Sequence, residues 1–90
     1  MGIAAVRMKI MPSSPEINLD EIINQAKKLI EGKSGKNVTF EVEPIAFGLK
    51  AILPFFAIDE KNDLSEIESE LSQIENVNSV QIVDMRRAFG

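Results

Sequence analysis

The sequence predicts an α+β fold in which a four-stranded antiparallel sheet is covered on one face by two helices. Three observations lead to this prediction: several short segments alternate apolar and polar residues, one helical pattern occurs twice, and each half of the chain has the order β-α-β. A chain of 90 residues has room for one such two-layer core. We therefore expect residues 1–90 to form a single domain.

The helical pattern NLDEI in the first half of the chain recurs 45 positions later as DLSEI. Each copy begins with a residue that favours the helix N-cap, Asn18 or Asp63, and a glutamate three positions later can complete a capping box. We expect helices over residues 18–31 and 63–75, with Gly32 ending the first helix in the left-handed conformation.

Three further segments show strand patterns between and before the helices. Residues 4–10 and residues 38–42 each alternate apolar with polar side chains, which is typical of strands with one buried face. The third segment, about residues 49–58, is apolar on both faces, so we expect it to be a central strand. Pro54 conflicts with that position unless a bulge absorbs the missing hydrogen bond.

The last strand begins with alternation at Val80 and Ile82, which Val83 and Met85 then interrupt. Two β-α-β halves, each with a right-handed crossover, join most simply as a ferredoxin-like βαββαβ sandwich with both helices on one face. Strands one and three are then the central pair. This fold supports many functions, so the residues must indicate which one applies.

Composition excludes several functional classes. Cysteine and histidine are absent, which removes disulfide frameworks, thiol nucleophiles, histidine acid/base pairs and the usual zinc and iron–sulfur ligands. The carboxylates fall on helix faces and in turns, where no apolar surroundings would favour a protonated acid. We expect no covalent catalysis and no cofactor or metal site.

Charge and hydropathy limit the partners. A formal net charge of -4 argues against non-specific nucleic-acid binding, which depends on Lys and Arg. No apolar run approaches the roughly 20 residues that cross a bilayer, and the first residues do not resemble a secretory signal. We expect a cytoplasmic protein without membrane contact.

Other proteins of this fold need residues that are missing. Metal chaperones need paired cysteines, RNA-recognition domains need aromatics on the central strands, and acylphosphatase-like enzymes need a glycine-containing phosphate loop after strand one. Phe55 and Phe56 could supply one stacking ring, but their apolar neighbours favour packing. An amino-acid-sensing regulatory domain is still possible.

Two features are unusual for a small domain. The turn between strands two and three is apolar and carries Phe47, and the chain end carries Arg86 and Arg87. An exposed aromatic near a hairpin tip is typical of an interface anchor, and Gly48 permits the turn. Alternatively, Phe47 folds back onto the core and the arginines form a solvated end.

Three segments together resemble the archaeal elongation factor 1-beta family: residues 11–15 (MPSSP), residues 43–50 (EPIAFGLK) and residues 84–87 (DMRR). The similarity covers essentially the whole chain. Members of that family are nucleotide exchange factors for elongation factor 1-alpha, the GTPase that delivers aminoacyl-tRNA, and they share the ferredoxin-like fold. The resemblance implies this partner, which itself binds GDP, GTP and Mg²⁺, and implies no direct nucleic-acid contact.

The resemblance also implies roles for individual residues. In eukaryotic relatives a lysine near the C-terminus acts at the Mg²⁺ and phosphate region, and alignment through Met85 puts Arg87 at that position with Arg86 beside it. The aromatic matched by Phe47 contacts another domain of the GTPase. Further partner contacts are implied on both segments, at Pro44, Ile45, Gly48, Lys50 and Met85.

A second hypothesis is a regulatory or dimerisation module of the same fold. Such a module would bind a small ligand at a sheet edge or helix interface, and the C-terminal arginines would be dispensable.

Overall fold

The computed structural model describes residues 2–89, so Met1 and Gly90 of the predicted domain lie outside the described residues. The strands and helices follow the predicted order, with a short 3₁₀ turn, Ala46–Gly48, between the second and third strands. Their bounds are β1 (Ile3–Pro12), α1 (Leu19–Gly32), β2 (Lys36–Pro44), β3 (Lys50–Asp59), α2 (Leu64–Ser72) and β4 (Val77–Phe89).

The four strands form one antiparallel sheet in the order β2-β3-β1-β4. This arrangement confirms the predicted ferredoxin-like fold, with β1 and β3 as the central strands. Alternate residues of β1 are buried against both helices, as the apolar pattern predicted. The core consists mainly of Ala4, Val6, Met8 and Ile10 of β1, Ile52, Phe56 and Ile58 of β3, Ile22, Ala26 and Ile30 of α1, and Ile67 and Leu71 of α2.

The two helices begin at the predicted N-caps. The Asn18 Oδ1 atom accepts a hydrogen bond from the Asp20 amide at 3.0 Å, and the Asp63 Oδ1 atom accepts one from the Ser65 amide at 2.9 Å. Each side chain thereby satisfies an amide that has no partner inside the helix. The repeated sequence pattern thus marks two equivalent helix starts.

The predicted end of α1 is wrong in one respect. Gly32 belongs to the helix, and the left-handed residue that follows is Ser34, with φ of 75°. The Ser34 amide donates to the Glu31 carbonyl at 3.0 Å and the Gly35 amide to the Ile30 carbonyl at 2.9 Å. These two bonds form a Schellman motif. Their formation offsets the conformational cost of placing the non-glycine residue Ser34 in the left-handed region.

Lys33 joins the two helices. Its ammonium group contacts the Glu66 carboxylate at 2.5 Å and the Glu70 carboxylate at 2.6 Å. The hydrogen bonds that the ammonium group donates to these two carboxylates raise the pKa of Lys33 well above its ordinary value. Because all three groups are partly exposed, we treat the cluster as a surface contact that aligns the helices rather than as a major source of stability.

The cap at Asp63 predicts a specific pH dependence of stability. Hydrogen bonds from Ser65 hold the pKa of Asp63 below its ordinary value of 3.8. A carboxyl group with a lowered folded-state pKa stabilises the protein above its unfolded-state pKa, and this contribution is lost as pH falls through the folded-state value. We expect Asp63→Ala to lower the midpoint of urea unfolding at neutral pH, and the difference from wild type to shrink towards about pH 2.

The matched control is Asn18→Ala at the equivalent cap of α1. This change should cost about 1 kcal/mol, independent of pH over that range, because the amide does not titrate. If Asp63→Ala lowers the free energy of unfolding equally at neutral and acid pH, ionisation of Asp63 adds nothing to the stability that the cap provides.

Pro54 lies in the middle of β3, and no bulge absorbs the missing hydrogen bond. Arg7 pairs with Phe55 and Ile10 with Ile52 in one unbroken register, but the two intervening pairs on the β1 side are missing. On the other side Pro54 pairs with Phe40 of β2. The missing amide therefore interrupts the ladder locally and leaves the strand register unchanged.

Within residues 2–89, neither helix combines the length and apolar content that crossing a membrane requires.

Candidate functional site

The tip of the β2–β3 hairpin presents Phe47 to solvent. The side chain is 92% exposed, so the alternative in which it folds back onto the core is wrong. Its backbone is left-handed, with φ of 61° and ψ of 31°, and Gly48 follows with φ of 78°. The turn is closed by a hydrogen bond from the Ile45 amide to the Leu49 carbonyl at 2.7 Å.

A left-handed conformation costs a non-glycine residue roughly 1–2 kcal/mol. An exposed aromatic in that conformation gains no burial in return, which is the combination found where binding rather than stability selects the geometry. The residues beside Phe47 complete this end of the molecule. Pro44 and Lys50 pair across the hairpin and are exposed, and Ile45 is partly buried.

A bulge in β4 decides how the two arginines are oriented. Arg7 pairs with Asp84 and Met8 with Ile82, so Val83 is an extra residue on β4. At Val80 and Ile82, even-numbered residues of β4 face the helices; beyond the bulge at Val83, odd-numbered residues do so. Arg87 therefore lies on the helix side and Arg86 on the open face.

Arg87 lies near the end of β4 beside the loop that follows β3. It pairs with Ala4 of β1, and its Nε atom donates to the Glu60 Oε2 atom at 2.8 Å. The Arg87 side chain is 65% exposed. Met85 pairs with Val6 on the same side and is 57% exposed.

Arg86 lies on the face of the sheet that the helices leave uncovered. Its Nε atom is 3.2 Å from the Asp84 Oδ2 atom, and its side chain is 81% exposed. A shallow groove there also contains Arg7 and Phe55, with the Arg7 guanidinium 5.4 Å from the centre of the Phe55 ring. Of the two adjacent phenylalanines, Phe56 is a core residue and Phe55 lies on the open face.

The hairpin tip and the end of β4 lie at opposite ends of the sheet. β3 connects them: it begins at Lys50, next to the tip, and ends at Asp59, beside the Glu60 loop. Its 10 residues span about 30 Å at the usual rise of a strand. The predicted site residues therefore form two separate groups at the two ends of β3, and all of them except the partly buried Ile45 are exposed.

Sequence reasoning missed the two acids beside the arginines. Asp84 is within two residues of Arg86, a spacing that places both on one face of a regular strand, so the sequence contained a weak signal for that pair. Glu60 is 27 positions from Arg87. Only the strand order and register bring these two together.

A cavity of about 670 Å³ opens near the start of β1 and the end of β3. Its walls carry apolar, amide and charged side chains, including Ile3, Lys36, Asn37, Asp59 and Lys61. The second hypothesis, a ligand-binding module, would use such a position at a sheet edge.

The comparison of the sequence with known families gives one match over nearly the whole chain. Residues 5–88 match the EF-1 guanine nucleotide exchange domain. The chain is 40% identical over 86 residues to elongation factor 1-beta of Methanococcus aeolicus, covering 94% of this chain and 97% of the relative. It is 37% identical over 82 residues to elongation factor 1-beta of Nanoarchaeum equitans, covering 90% of this chain and 100% of that relative.

Among solved structures, the ACT domain of a GTP pyrophosphokinase from Chlorobium tepidum is similar, with a TM-score of 0.62. The alignment covers 88% of this chain and 96% of that domain at 15% identity. At this identity the similarity shows the shared fold and nothing about ligands.

Proposed function

The chain belongs to the EF-1 guanine nucleotide exchange domain family, and we propose that it promotes the exchange of GDP for GTP on elongation factor 1-alpha. Such a factor makes and breaks no covalent bond. It speeds the release of GDP by binding the GTPase, and the nucleotide and its Mg²⁺ belong to the partner. The absence of histidine and cysteine fits a function that needs no nucleophile.

The observation that supports this proposal most directly is the pair of exposed groups at the two ends of one sheet. Phe47 is 92% exposed in a strained turn, and Arg87 is 65% exposed at the opposite end. A rigid separation of about 30 Å suits a module that contacts two domains of a larger protein at once. We infer that Phe47 anchors one domain while Arg87 reaches the nucleotide-binding domain.

The mechanism requires a difference in affinity between two states of the partner. A GTPase holds GDP through its phosphate-binding loop and a bridging Mg²⁺. A factor that binds the nucleotide-free state more tightly than the GDP-bound state shifts the equilibrium towards release. A cation presented at the Mg²⁺ and phosphate region achieves this, because it replaces part of the metal's charge while its position is incompatible with metal coordination.

We assign this cation to Arg87, with Arg86 as a neighbouring charge on the other face of the strand. The resemblance, aligned through Met85, puts Arg87 at the position where eukaryotic relatives carry lysine. A guanidinium is planar and prefers paired contacts with oxyanions, whereas an ammonium is a compact point charge. We therefore expect Arg87 to engage a phosphate or carboxylate of the partner rather than to occupy the metal position itself. Around Phe47, the partner-binding surface includes Pro44, Ile45, Gly48 and Lys50, and Met85 extends it near Arg87.

The test is release of a fluorescent GDP analogue from elongation factor 1-alpha of the same organism. We expect the rate to rise by orders of magnitude with increasing factor and to reach a plateau, because release within the complex becomes limiting. An unchanged rate at saturating factor would contradict the proposal. Binding of a small ligand at the cavity near Lys36 and Lys61 would then become the function to test.

A further inference from the structure

We propose that Glu60 is a positioning residue for exchange, and that it holds the Arg87 guanidinium in the orientation that the partner receives. This inference rests on the proposed function. Glu60 lies outside the three segments that carry the family resemblance. It follows β3 directly, at the end of the molecule where β4 brings Arg87.

The path between the two side chains crosses one strand. Arg87 on β4 pairs with Ala4 on β1, and Ala4 pairs in turn with Ile58 on β3, two residues before Glu60. Strands β4 and β3 are therefore separated by about 10 Å, two interstrand spacings. Because the side chain between them is only the methyl group of Ala4, Arg87 can extend across the sheet to a carboxylate at 2.8 Å.

The carboxylate itself is confined by the start of the chain. The Glu60 amide donates to the Gly2 carbonyl at 3.0 Å, which attaches the loop to the segment before β1. A Cβ atom added to Gly2 would lie 2.5 Å from both Cδ and Oε2 of Glu60. The side chain of Glu60 thus packs directly on the backbone of Gly2, and only glycine leaves it that space.

The contact with Glu60 uses the Nε atom of Arg87 and leaves the two terminal amino groups of the guanidinium for the partner. The hydrogen bond described for Arg87 is made by Nε, on the inner side of the group. The two terminal amino groups, which form the fork that recognises phosphates and carboxylates, lie beyond it. A carboxylate bound there orients the fork, whereas one bound to the terminal groups would compete with the partner.

The molecule contains a matched control for this contact. Asp84 forms an ion pair with the Nε atom of Arg86 at 3.2 Å, on the opposite face of β4. If the negative charge of a nearby carboxylate affected exchange regardless of its position, removing Glu60 or Asp84 would change the rate of GDP release equally. If orientation of Arg87 is the cause, only Glu60 matters.

The experiment measures GDP release at saturating factor, the half-saturating concentration and thermal unfolding for each variant. We expect Glu60→Ala to lower the maximal rate about tenfold, because misplacing a reacting group by an ångström can cost more than that. The half-saturating concentration and the unfolding temperature should not change. Glu60→Gln, which keeps an acceptor oxygen, should recover most of the rate, and Asp84→Ala should have no effect.

Two further variants exclude a purely structural role. Gly2→Ala keeps Glu60 and its charge but displaces the carboxylate. The displaced group is the flexible end of a side chain, so the fold should tolerate the change. We expect a loss of rate similar to that of Glu60→Ala. In an Arg87→Ala background, Glu60→Ala should cause no additional loss, because there is no guanidinium left to orient.

The outcomes separate the two proposals. If wild type accelerates release but Glu60→Ala is unchanged, or faster, the positioning role is overturned, and a faster variant would make Glu60 a restraint on Arg87. If wild type itself does not accelerate release, the exchange function fails and the role of Glu60 fails with it.

Discussion

Replacing Arg87 by alanine is expected to lower the maximal rate of GDP release by about a hundredfold, the size of effect seen when one preorganised polar group is removed from a reacting phosphate or oxyanion. The cation acts in the complex after binding, so its loss should leave the half-saturating concentration of factor nearly unchanged. Because the Arg87 side chain is 65% exposed and forms one surface ion pair, the fold should keep its stability.

The measurement is stopped-flow release of the fluorescent GDP analogue over a range of factor concentrations. Arg86→Ala is the control, since it removes the same charge from the adjacent residue on the open face. Arg87→Lys tests geometry: an ammonium keeps the charge without the planar fork, and we expect an intermediate rate. Equal losses for Arg86→Ala and Arg87→Ala would show that net charge at the chain end matters and that the orientation of β4 does not.

Replacing Phe47 by alanine should raise the half-saturating concentration of factor rather than lower the maximal rate. Truncating an aromatic anchor commonly costs on the order of 2 kcal/mol of binding free energy, which corresponds to about a 30-fold higher half-saturating concentration. The maximal rate should be close to that of wild type, because Phe47 lies about 30 Å from Arg87 along β3 and contacts a different part of the partner.

The same position allows a control for folding. Phe47 is 92% exposed, so its truncation removes no core packing. Phe47→Gly should make the free protein at least as stable as wild type, since glycine adopts a φ of 61° without steric cost. Thermal unfolding of both variants measures this. If Phe47→Ala binds as tightly as wild type, the exposed ring is not an anchor; if it unfolds at a clearly lower temperature, the ring has a structural role that its exposure does not indicate.

Several features could be predicted because they depend on neighbours along the chain. The alternation in β1 predicted its buried face correctly, and each N-cap needed only a side-chain oxygen two residues from an amide. The exposure of Phe47 could be proposed because the turn residues flanking it indicated a hairpin tip. These are local patterns, and local geometry was enough to interpret them.

One predicted detail was wrong, and one conflict in the sequence was resolved only by the structure. Gly32 is the residue type that favours a left-handed helix end, but the helix continues through it and Ser34 takes that conformation. The conflict at Pro54 had no explanation in the sequence, and in the structure the ladder is interrupted there without a change of register. At the helix end, the two Schellman hydrogen bonds outweigh the cost of about 1–2 kcal/mol for a non-glycine residue in the left-handed region.

The sequence by itself determined the order of the elements, the buried face of β1, both helix starts, and the presence of an aromatic at a hairpin tip and of two cations near the chain end. Only the tertiary structure decided which cation faces which way. The alternation of Val80 and Ile82 places Arg86 on the helix side, and the bulge at Val83 reverses this and places Arg87 there. The contact of Arg87 with Glu60 depends on the same register, because residues 27 positions apart meet only when the pairing of three strands brings them together.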